Sequence, residues 1–139
     1  MDVKETGVIT AVVDGIEEYI PGQFYRRELK CVDAILRQLR LEEVSLIVVD
    51  GYADFGTPDK SLGAHVFEKY GIPVIGVAKN RYKECRIPNI EVFRGSSQKS
   101  LYVTSKGIDN ETAKDWVIHM AGENRIPYLI KLADTYARN

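Results

Sequence analysis

The sequence Val-Ser-Leu-Ile-Val-Val-Asp-Gly, at residues 44–51, has the pattern of a buried β-strand that ends in a turn. Five of its first six residues are apolar. A nearly unbroken apolar run of this length is typical of a strand that is covered on both faces, as in a parallel sheet. Asp50 and Gly51 then stand at the carboxyl end of the strand. We therefore expect this strand to be covered on both faces, in a sheet that is at least partly parallel.

Strand and helix patterns alternate along the rest of the chain. Further strands are predicted at residues 7–13, 73–78, 90–93 and 101–104. Helices are predicted from about residue 26 to Arg40, from Ser61 as cap to Tyr70, from Asp109 or Asn110 to Met120, and from Pro127 to Arg138. This order predicts an α/β fold in which at least part of the sheet is parallel, with residues 1–139 forming a single domain.

Composition narrows the class of protein without naming a function. The chain has 139 residues, 45% of them hydrophobic and 28% charged, as in globular proteins. Neither a membrane span nor an N-terminal signal is present in the sequence, so a cytoplasmic location and no membrane partner are expected. Cys31 and Cys85 lack the spacing of a zinc site or of a disulfide framework. The net charge of −1 leaves nucleic-acid binding open.

Two charged residues fall where open α/β sheets bind their ligands. Right-handed crossovers bring the carboxyl ends of successive parallel strands to one edge of the sheet, and Asp50 and Lys79 each follow a buried strand there. Asp50 could bind a hard divalent ion such as Mg²⁺, although Asp-Gly also simply makes turns. Lys79 could stabilise a phosphate, or be a solvated lysine in a loop.

The segment from Tyr19 to Glu28 carries a second group of candidates. It joins an aromatic residue to a tight turn at Pro21-Gly22, and Arg26, Arg27 and Glu28 follow in the first turns of a helix. Such a segment can present a wedge, charge for phosphate and a metal ligand together. Glu28 with Asp50 would supply the two carboxylates of a metal-dependent phosphodiesterase. The alternative interpretation is a turn followed by an ordinary surface helix.

Several runs of this chain resemble, in order and spacing, the endonuclease V family. They are EYIPGQFYRREL (18–29), LIVVDGY (46–52), LGAHVFEKYGIPVIGVAKNR (62–81), LYVTSKGIDNETA (101–113) and RIPYLIKLAD (125–134). The resemblance implies a ribonuclease-H-like mixed sheet with flanking helices. It also implies cleavage of DNA or RNA that contains deoxyinosine or inosine, at the second phosphodiester bond 3′ of the hypoxanthine base, with Mg²⁺ or Mn²⁺. Such an activity serves DNA repair or the processing of inosine-containing RNA.

The resemblance also implies roles at matched positions. Tyr19, Ile20, Pro21 and Gly22 would form the wedge, with Tyr19 stacking where the base is displaced. Glu28 and Asp50 would be metal ligands, and Lys79 would lie at the rim of the active site. The base pocket would be lined by Gly51, Leu62 and Gly63. His65 would support this site rather than take part in catalysis.

This chain departs from the family at its beginning. The family's first two strands and first metal-binding aspartate have no clear counterpart, so the expected fold is shortened at the N-terminus. Asp14 could replace the missing aspartate. An uncovered sheet edge favours pairing with a second copy, and a homodimer is therefore predicted. The family's late Gly-His is replaced by Ser105 to Asp109, in which Asp109 is the remaining polar candidate.

Three functions stay open at this point. The first is an endonuclease V-like nuclease, with full or weakened activity. The second is a catalytically inactive, nucleic-acid-binding remnant of that family. The third is a signalling receiver domain, which also places an aspartate after one buried strand and a lysine after a later one. Receivers need an acidic pair early in the chain as well, and here Asp2 is isolated and Glu17-Glu18 comes too late.

Overall fold

A mixed four-stranded sheet with three α-helices forms the part of the chain that the structure describes, the backbone of residues 25–120 and the side chains of residues 29–120. The structure is a computed structural model. Its helices and strands, in chain order, are α1 (Tyr25–Leu36), β1 (Ile47–Asp50), α2 (Leu62–Tyr70), β2 (Val74–Ala78), β3 (Glu91–Val92), β4 (Leu101–Lys106) and α3 (Asn110–Ile118). A short 3-10 turn at Leu41–Glu43 precedes β1.

The strands lie in the order β1-β2-β4-β3. β1 and β2 are parallel, with Val49 opposite Gly76, whereas β4 runs antiparallel to both of its neighbours. A parallel β1–β2 pair is what the two apolar runs predict, since a helix between them returns the chain to the same end of the sheet. The predicted α/β class with a mixed sheet and flanking helices is therefore confirmed.

Two predicted boundaries are wrong by a few residues. α1 ends at Leu36 rather than near Arg40, because the chain tightens there into bonds three residues apart, such as Leu39 N–H to Leu36 O at 3.1 Å. β1 begins at Ile47 rather than Val44, because Val44 N–H donates to the Leu41 carbonyl in the 3-10 turn that precedes the strand. The end of α1 and the start of β1 are both set by local turns, which the spacing of apolar residues does not predict.

The core occupies both faces of the sheet. On one face, residues of β2, β4 and α3 pack together, with Ile75, Val103 and Val117 fully buried. On the other face, Val49, Val66 and Val74 form a cluster with residues of α1 and α2. β2 is buried on both faces, as predicted. β1 is less covered than predicted, with Val48 37% exposed, because α3 packs mainly on β4 and β3.

The predicted helix caps are confirmed. The Ser61 hydroxyl accepts a hydrogen bond from Ala64 N–H at the start of α2, and Gly71 ends that helix in the left-handed conformation. Asp109 caps α3 by accepting a hydrogen bond from Thr112 N–H. None of the described helices is long and apolar enough to cross a membrane.

Other predictions fall on residues outside the described part. The strand at 7–13, the helix after Pro127 and the position of Asp14 belong to this group. The homodimer through an uncovered sheet edge also stays a prediction.

Candidate active site

Asp50 and Lys79 lie together at the carboxyl edge of the parallel strand pair. Asp50 is the last residue of β1, and Lys79 directly follows β2. The Lys79 Nζ is 3.5 Å from the Asp50 Oδ2. The Asp50 side chain is 38% exposed and that of Lys79 is 28% exposed. An ion pair this open to water contributes at most about 1 kcal/mol to stability, and both groups remain accessible to a ligand.

The chain after Asp50 folds back over the sheet. Gly51 has φ +142°, a backbone conformation that favours glycine, and its N–H donates to the Val77 carbonyl at 3.0 Å. Ala53 N–H then donates to the Thr104 Oγ1 of β4 at 2.9 Å. A Cβ at Gly76 would lie only 2.4 Å from the Ala53 nitrogen, so the loop rests directly on the backbone of β2. Glycine within an apolar strand is the sequence signal for such a close approach.

The start of α2 packs against the same loop. Gly63 N–H donates to the Tyr52 carbonyl at 3.0 Å, and a Cβ at Gly63 would lie 2.5 Å from the Ala53 Cα. Leu62 begins the helix and packs on the apolar cluster that contains Ala53. The structure thus brings the segment from Gly51 to Ala53 and the first turn of α2 into direct contact, which is where the resemblance puts the base pocket.

Tyr52 joins the two strand ends, a role that the sequence patterns do not reveal. Its buried hydroxyl accepts a hydrogen bond from Tyr82 N–H at 2.7 Å and donates one to the Asn80 carbonyl at 3.1 Å. Burial raises the pKa of this hydroxyl above its ordinary value. The loop after β1 is thereby tied to the segment that begins with Lys79. The one sequence signal is an aromatic residue directly after Asp50-Gly51.

His65 lies in the first half of α2 and is half-buried. Burial lowers its pKa, and the positive charge of Lys60 lowers it further. Both effects favour the neutral imidazole.

The donor chemistry of the described residues fits part of a magnesium site. Asp50 supplies one accessible carboxylate, and Mg²⁺ takes only one or two carboxylates from a protein. Among the side chains of residues 29–120, no group of three or more His, Cys, Asp and Glu could hold a metal ion. Arg27 and Glu28 lie in the first turn of α1, but their side chains fall outside the described part, as do the whole of Asp14 and the segment Tyr19–Gly22.

A second carboxylate–lysine pair joins the loop after Asp50 to the end of β4. The Lys106 Nζ is 3.6 Å from the Asp54 Oδ2, and Asp54 Oδ1 accepts a hydrogen bond from Gly56 N–H at 2.9 Å. Asp109, the remaining polar candidate of the late segment, is engaged as the cap of α3.

Comparison with known proteins identifies the family. The family model for endonuclease V matches residues 2–102, which is most of the chain. The chain belongs to the endonuclease V family. The match contains Asp50, Lys79 and Gly63, and it ends near the start of β4.

Endonuclease V of Rhodospirillum centenum is 29% identical over 78% of this chain, and the match covers 53% of that relative. The chain thus spans about half the length of this curated relative. Among solved structures, endonuclease V of Streptomyces avermitilis superposes with a TM-score of 0.65 at 27% identity, covering 87% of this chain and 61% of that one.

An endonuclease V of Ciona intestinalis, solved in complex with a 23mer DNA containing an inosine followed by a ribo-adenosine, superposes with a TM-score of 0.70. It is 18% identical, with 87% of this chain and 66% of that chain covered. At this identity the likeness concerns the fold alone. The mixed sheet with its flanking helices is therefore that of the endonuclease V structures.

Proposed function

We propose that this chain is an endonuclease V-like nuclease that hydrolyses the second phosphodiester bond 3′ to deoxyinosine or inosine, in DNA repair or in the processing of inosine-containing RNA. The observation that carries the proposal is the Asp50–Lys79 pair, with 3.5 Å between the amine and the carboxylate, at the carboxyl edge of a parallel strand pair. In a member of the endonuclease V family, a carboxylate and a cation at this edge have the chemistry that phosphodiester hydrolysis needs.

The carboxylates and the lysine have different roles in this proposal. Asp50 and Glu28 would hold Mg²⁺ or Mn²⁺, and Asp14 is the candidate for a third carboxylate. When bound, the ion supplies positive charge that stabilises the transition state of phosphodiester hydrolysis. The ammonium group of Lys79 is positioned by its contact with Asp50 to attract a phosphate oxygen to the same edge.

In this proposal the base is recognised by the wedge, by the loop after Asp50 and by the start of α2. Tyr19, Ile20, Pro21 and Gly22 would displace the base, and Arg27 would contact a phosphate. Gly51, Leu62 and Gly63 would line the pocket, with His65 behind them. Support for the pocket comes from the close packing of the loop on Gly63, and from Gly51, where a Cβ would meet nothing within 4 Å.

Cleavage of a defined oligonucleotide tests the proposal. A strand with one inosine, incubated with the protein and Mn²⁺, should be cut at the second bond 3′ of the inosine, whereas the matched guanosine strand should stay intact. Asp50→Asn and Lys79→Met should each lower the single-turnover rate by about 100-fold or more, the effect of removing one transition-state contact.

The matched controls are Asp54→Asn and Lys106→Met. These residues form a second pair of similar distance and exposure, 3.6 Å against 3.5 Å, between the loop after Asp50 and the end of β4. Both control variants should cleave at the wild-type rate within about twofold. A comparable loss in both pairs would show that the effect is a general one of surface charge.

The second candidate is a protein that binds inosine-containing strands without cutting them. The observation that favours it is the contact of Lys79 with the carboxylate oxygen that a metal ion would use. This function predicts binding without cleavage and binding that is unchanged by Asp50→Ala or Glu28→Ala. A wild-type protein that neither binds nor cuts the inosine strand would contradict both functions for this chain.

A further inference from the structure

Three aromatic rings form a cluster on the two segments that follow Asp50 and Lys79. The ring centroids of Phe55 and Tyr82 are 4.7 Å apart, and that of Tyr52 lies 5.5 Å from Phe55 and 6.2 Å from Tyr82. These tilted and edge-on arrangements are those that aromatic rings prefer. Tyr52 is buried, Phe55 is half-buried and Tyr82 is 42% exposed. Tyr52 and Phe55 thus pack against the Tyr82 ring, which stays partly exposed to solvent.

Hydrogen bonds hold the backbone that carries the exposed ring. Tyr82 N–H donates to the Tyr52 hydroxyl at 2.7 Å, and the Tyr82 carbonyl accepts from Cys85 N–H at 3.0 Å. Arg86 N–H donates to the Phe55 carbonyl at 2.7 Å, which fixes the far end of the same segment. Because this backbone is held and the ring packs against Phe55 and Tyr52, Tyr82 loses little further freedom when a planar ligand stacks on it.

Positive charge is concentrated around this ring. Residues 79–86 read Lys-Asn-Arg-Tyr-Lys-Glu-Cys-Arg, with four basic residues and one acidic residue, so the segment carries +3 while the whole chain carries −1. Arg81 and Lys83 flank Tyr82 directly and are exposed. Arg81 lies 3.9 Å from Glu91, an exposed pair that leaves it accessible to phosphate. Aromatic rings among basic side chains are typical of surfaces that bind single-stranded nucleic acid.

We propose that Tyr82, supported by Phe55 and Tyr52, is a stacking platform for an unpaired nucleobase of the strand, with Arg81 and Lys83 beside the neighbouring phosphates. This inference rests on the proposed function. The platform adds a second aromatic contact to the Tyr19 wedge, and its Tyr52 directly follows Gly51 of the assigned base pocket. Because every base has a π-face, Tyr82 accepts any base and contributes affinity rather than selectivity for inosine.

Binding without cleavage tests the platform. Fluorescence anisotropy of a labelled single strand with one inosine, measured in EDTA, compares the wild-type protein with Tyr82→Ala and Tyr82→Phe. Stacking contributes about 1–3 kcal/mol per base, so Tyr82→Ala should weaken binding by roughly 5- to 150-fold. Tyr82→Phe keeps the π-face and should bind within about twofold of wild type. Phe93→Ala is the matched control, because Phe93 is 54% exposed and lies outside the cluster of Tyr52, Phe55 and Tyr82.

Salt dependence separates stacking from charge. Tyr82→Ala should lower affinity at every salt concentration and leave the slope of log K against log salt unchanged. Arg81→Gln should reduce that slope by about 0.7, the change expected for one phosphate contact on a single strand. A strand with 2-aminopurine next to the inosine gives a readout that needs no variant, because its fluorescence should be quenched when it stacks on the wild-type protein.

The outcomes distinguish this inference from the proposed function. If the wild-type protein binds the inosine strand and Tyr82→Ala binds equally well, the platform is refuted and the nuclease proposal stands. The platform is also refuted if Tyr82→Phe is as weak as Tyr82→Ala, because the hydroxyl rather than the ring would then carry the effect. An equal loss in Phe93→Ala would refute it as well. If the wild-type protein binds no inosine strand in EDTA, the platform is refuted, and the proposed function is then decided by the cleavage assay with Mn²⁺.

Discussion

Replacing Gly76 by alanine should destabilise the protein, although alanine is ordinarily the better residue within a strand. Gly76 lies in β2 opposite Val49 and Thr104. A Cβ built on it would lie 2.4 Å from the Ala53 nitrogen, 2.6 Å from the Gly51 oxygen and 2.8 Å from the Tyr52 carbonyl carbon. All three are backbone atoms, so relief requires the loop itself to move rather than a flexible side chain.

The expected loss is the balance of three effects. Overpacking in a well-packed interior costs about 1–3 kcal/mol. Lifting the loop weakens its two hydrogen bonds, from Ala53 N–H to Thr104 and from Gly63 N–H to the Tyr52 carbonyl, each worth about 1 kcal/mol. The smaller unfolded-state entropy of alanine offsets about 0.5–1 kcal/mol. We therefore expect the free energy of unfolding to fall by about 2–3 kcal/mol.

Urea unfolding followed by the fluorescence of Trp116, the one tryptophan of the chain, measures this change. Trp116 is half-buried against the core cluster between β4 and α3, so its emission reports loss of the core. In a chain of this size the midpoint of thermal unfolding should fall by about 10 °C.

Gly71→Ala serves as the control for this prediction. Gly71 has a positive φ, +68°, and a Cβ there would meet nothing within 4 Å, so its cost comes from the backbone conformation alone, about 1 kcal/mol. The reasoning from the close contact would be wrong if Gly76→Ala lost less than about 1 kcal/mol, or no more than Gly71→Ala.

Two further predictions concern the hydrogen bond from Tyr82 N–H to the Tyr52 hydroxyl and the contact between α1 and α2. Tyr52→Phe keeps the ring but removes the acceptor of Tyr82 N–H. Hydrogen exchange of the Tyr82 amide should therefore speed up by about 10-fold, while amides in β2 keep their protection. Equal exchange rates of the Tyr82 amide in the two proteins would refute the role of this hydrogen bond. Asp33 is buried and accepts hydrogen bonds from Lys69, at 2.7 Å, and from the Tyr70 hydroxyl. Burial raises the pKa of Asp33, but these hydrogen bonds lower it more, so the net pKa lies below its ordinary value. Its stabilisation is therefore present above about pH 4 and lost as the pH falls further. Burial and the Asp33 carboxylate raise the pKa of Tyr70 to about 12, so stability should also fall between about pH 10 and 12. Asp33→Asn should flatten the acid limb of a urea-midpoint profile, and an unchanged acid limb would contradict this assignment.

The local sequence was sufficient for the type of each described helix and strand. Some features depend only on residues that are close in the chain, so a single sequence predicts them. They are the apolar runs at β1 and β2, the helix caps at Ser61 and Asp109 and the helix end at Gly71. The same is true of the family resemblance, which rests on the order and spacing of short runs.

Other features depend on residues that are distant in the chain. The proximity of Asp50 and Lys79 could be predicted, because parallel strands end at one edge, but the hydroxyl of Tyr52 that joins their loops could not. The partial exposure of β1 likewise depends on where α3 packs.

Sequence by itself therefore determined the α/β class, the family and the edge of the sheet where Asp50 and Lys79 meet. Only the tertiary structure decided that the loop after Asp50 lies on Gly76 and Gly63, that Thr104 accepts its Ala53 N–H, and that Tyr52, Phe55 and Tyr82 form one cluster. The physical reason is that close backbone approach and side-chain hydrogen bonds depend on which distant segments the sheet brings within contact, and apolar periodicity carries no information about that pairing.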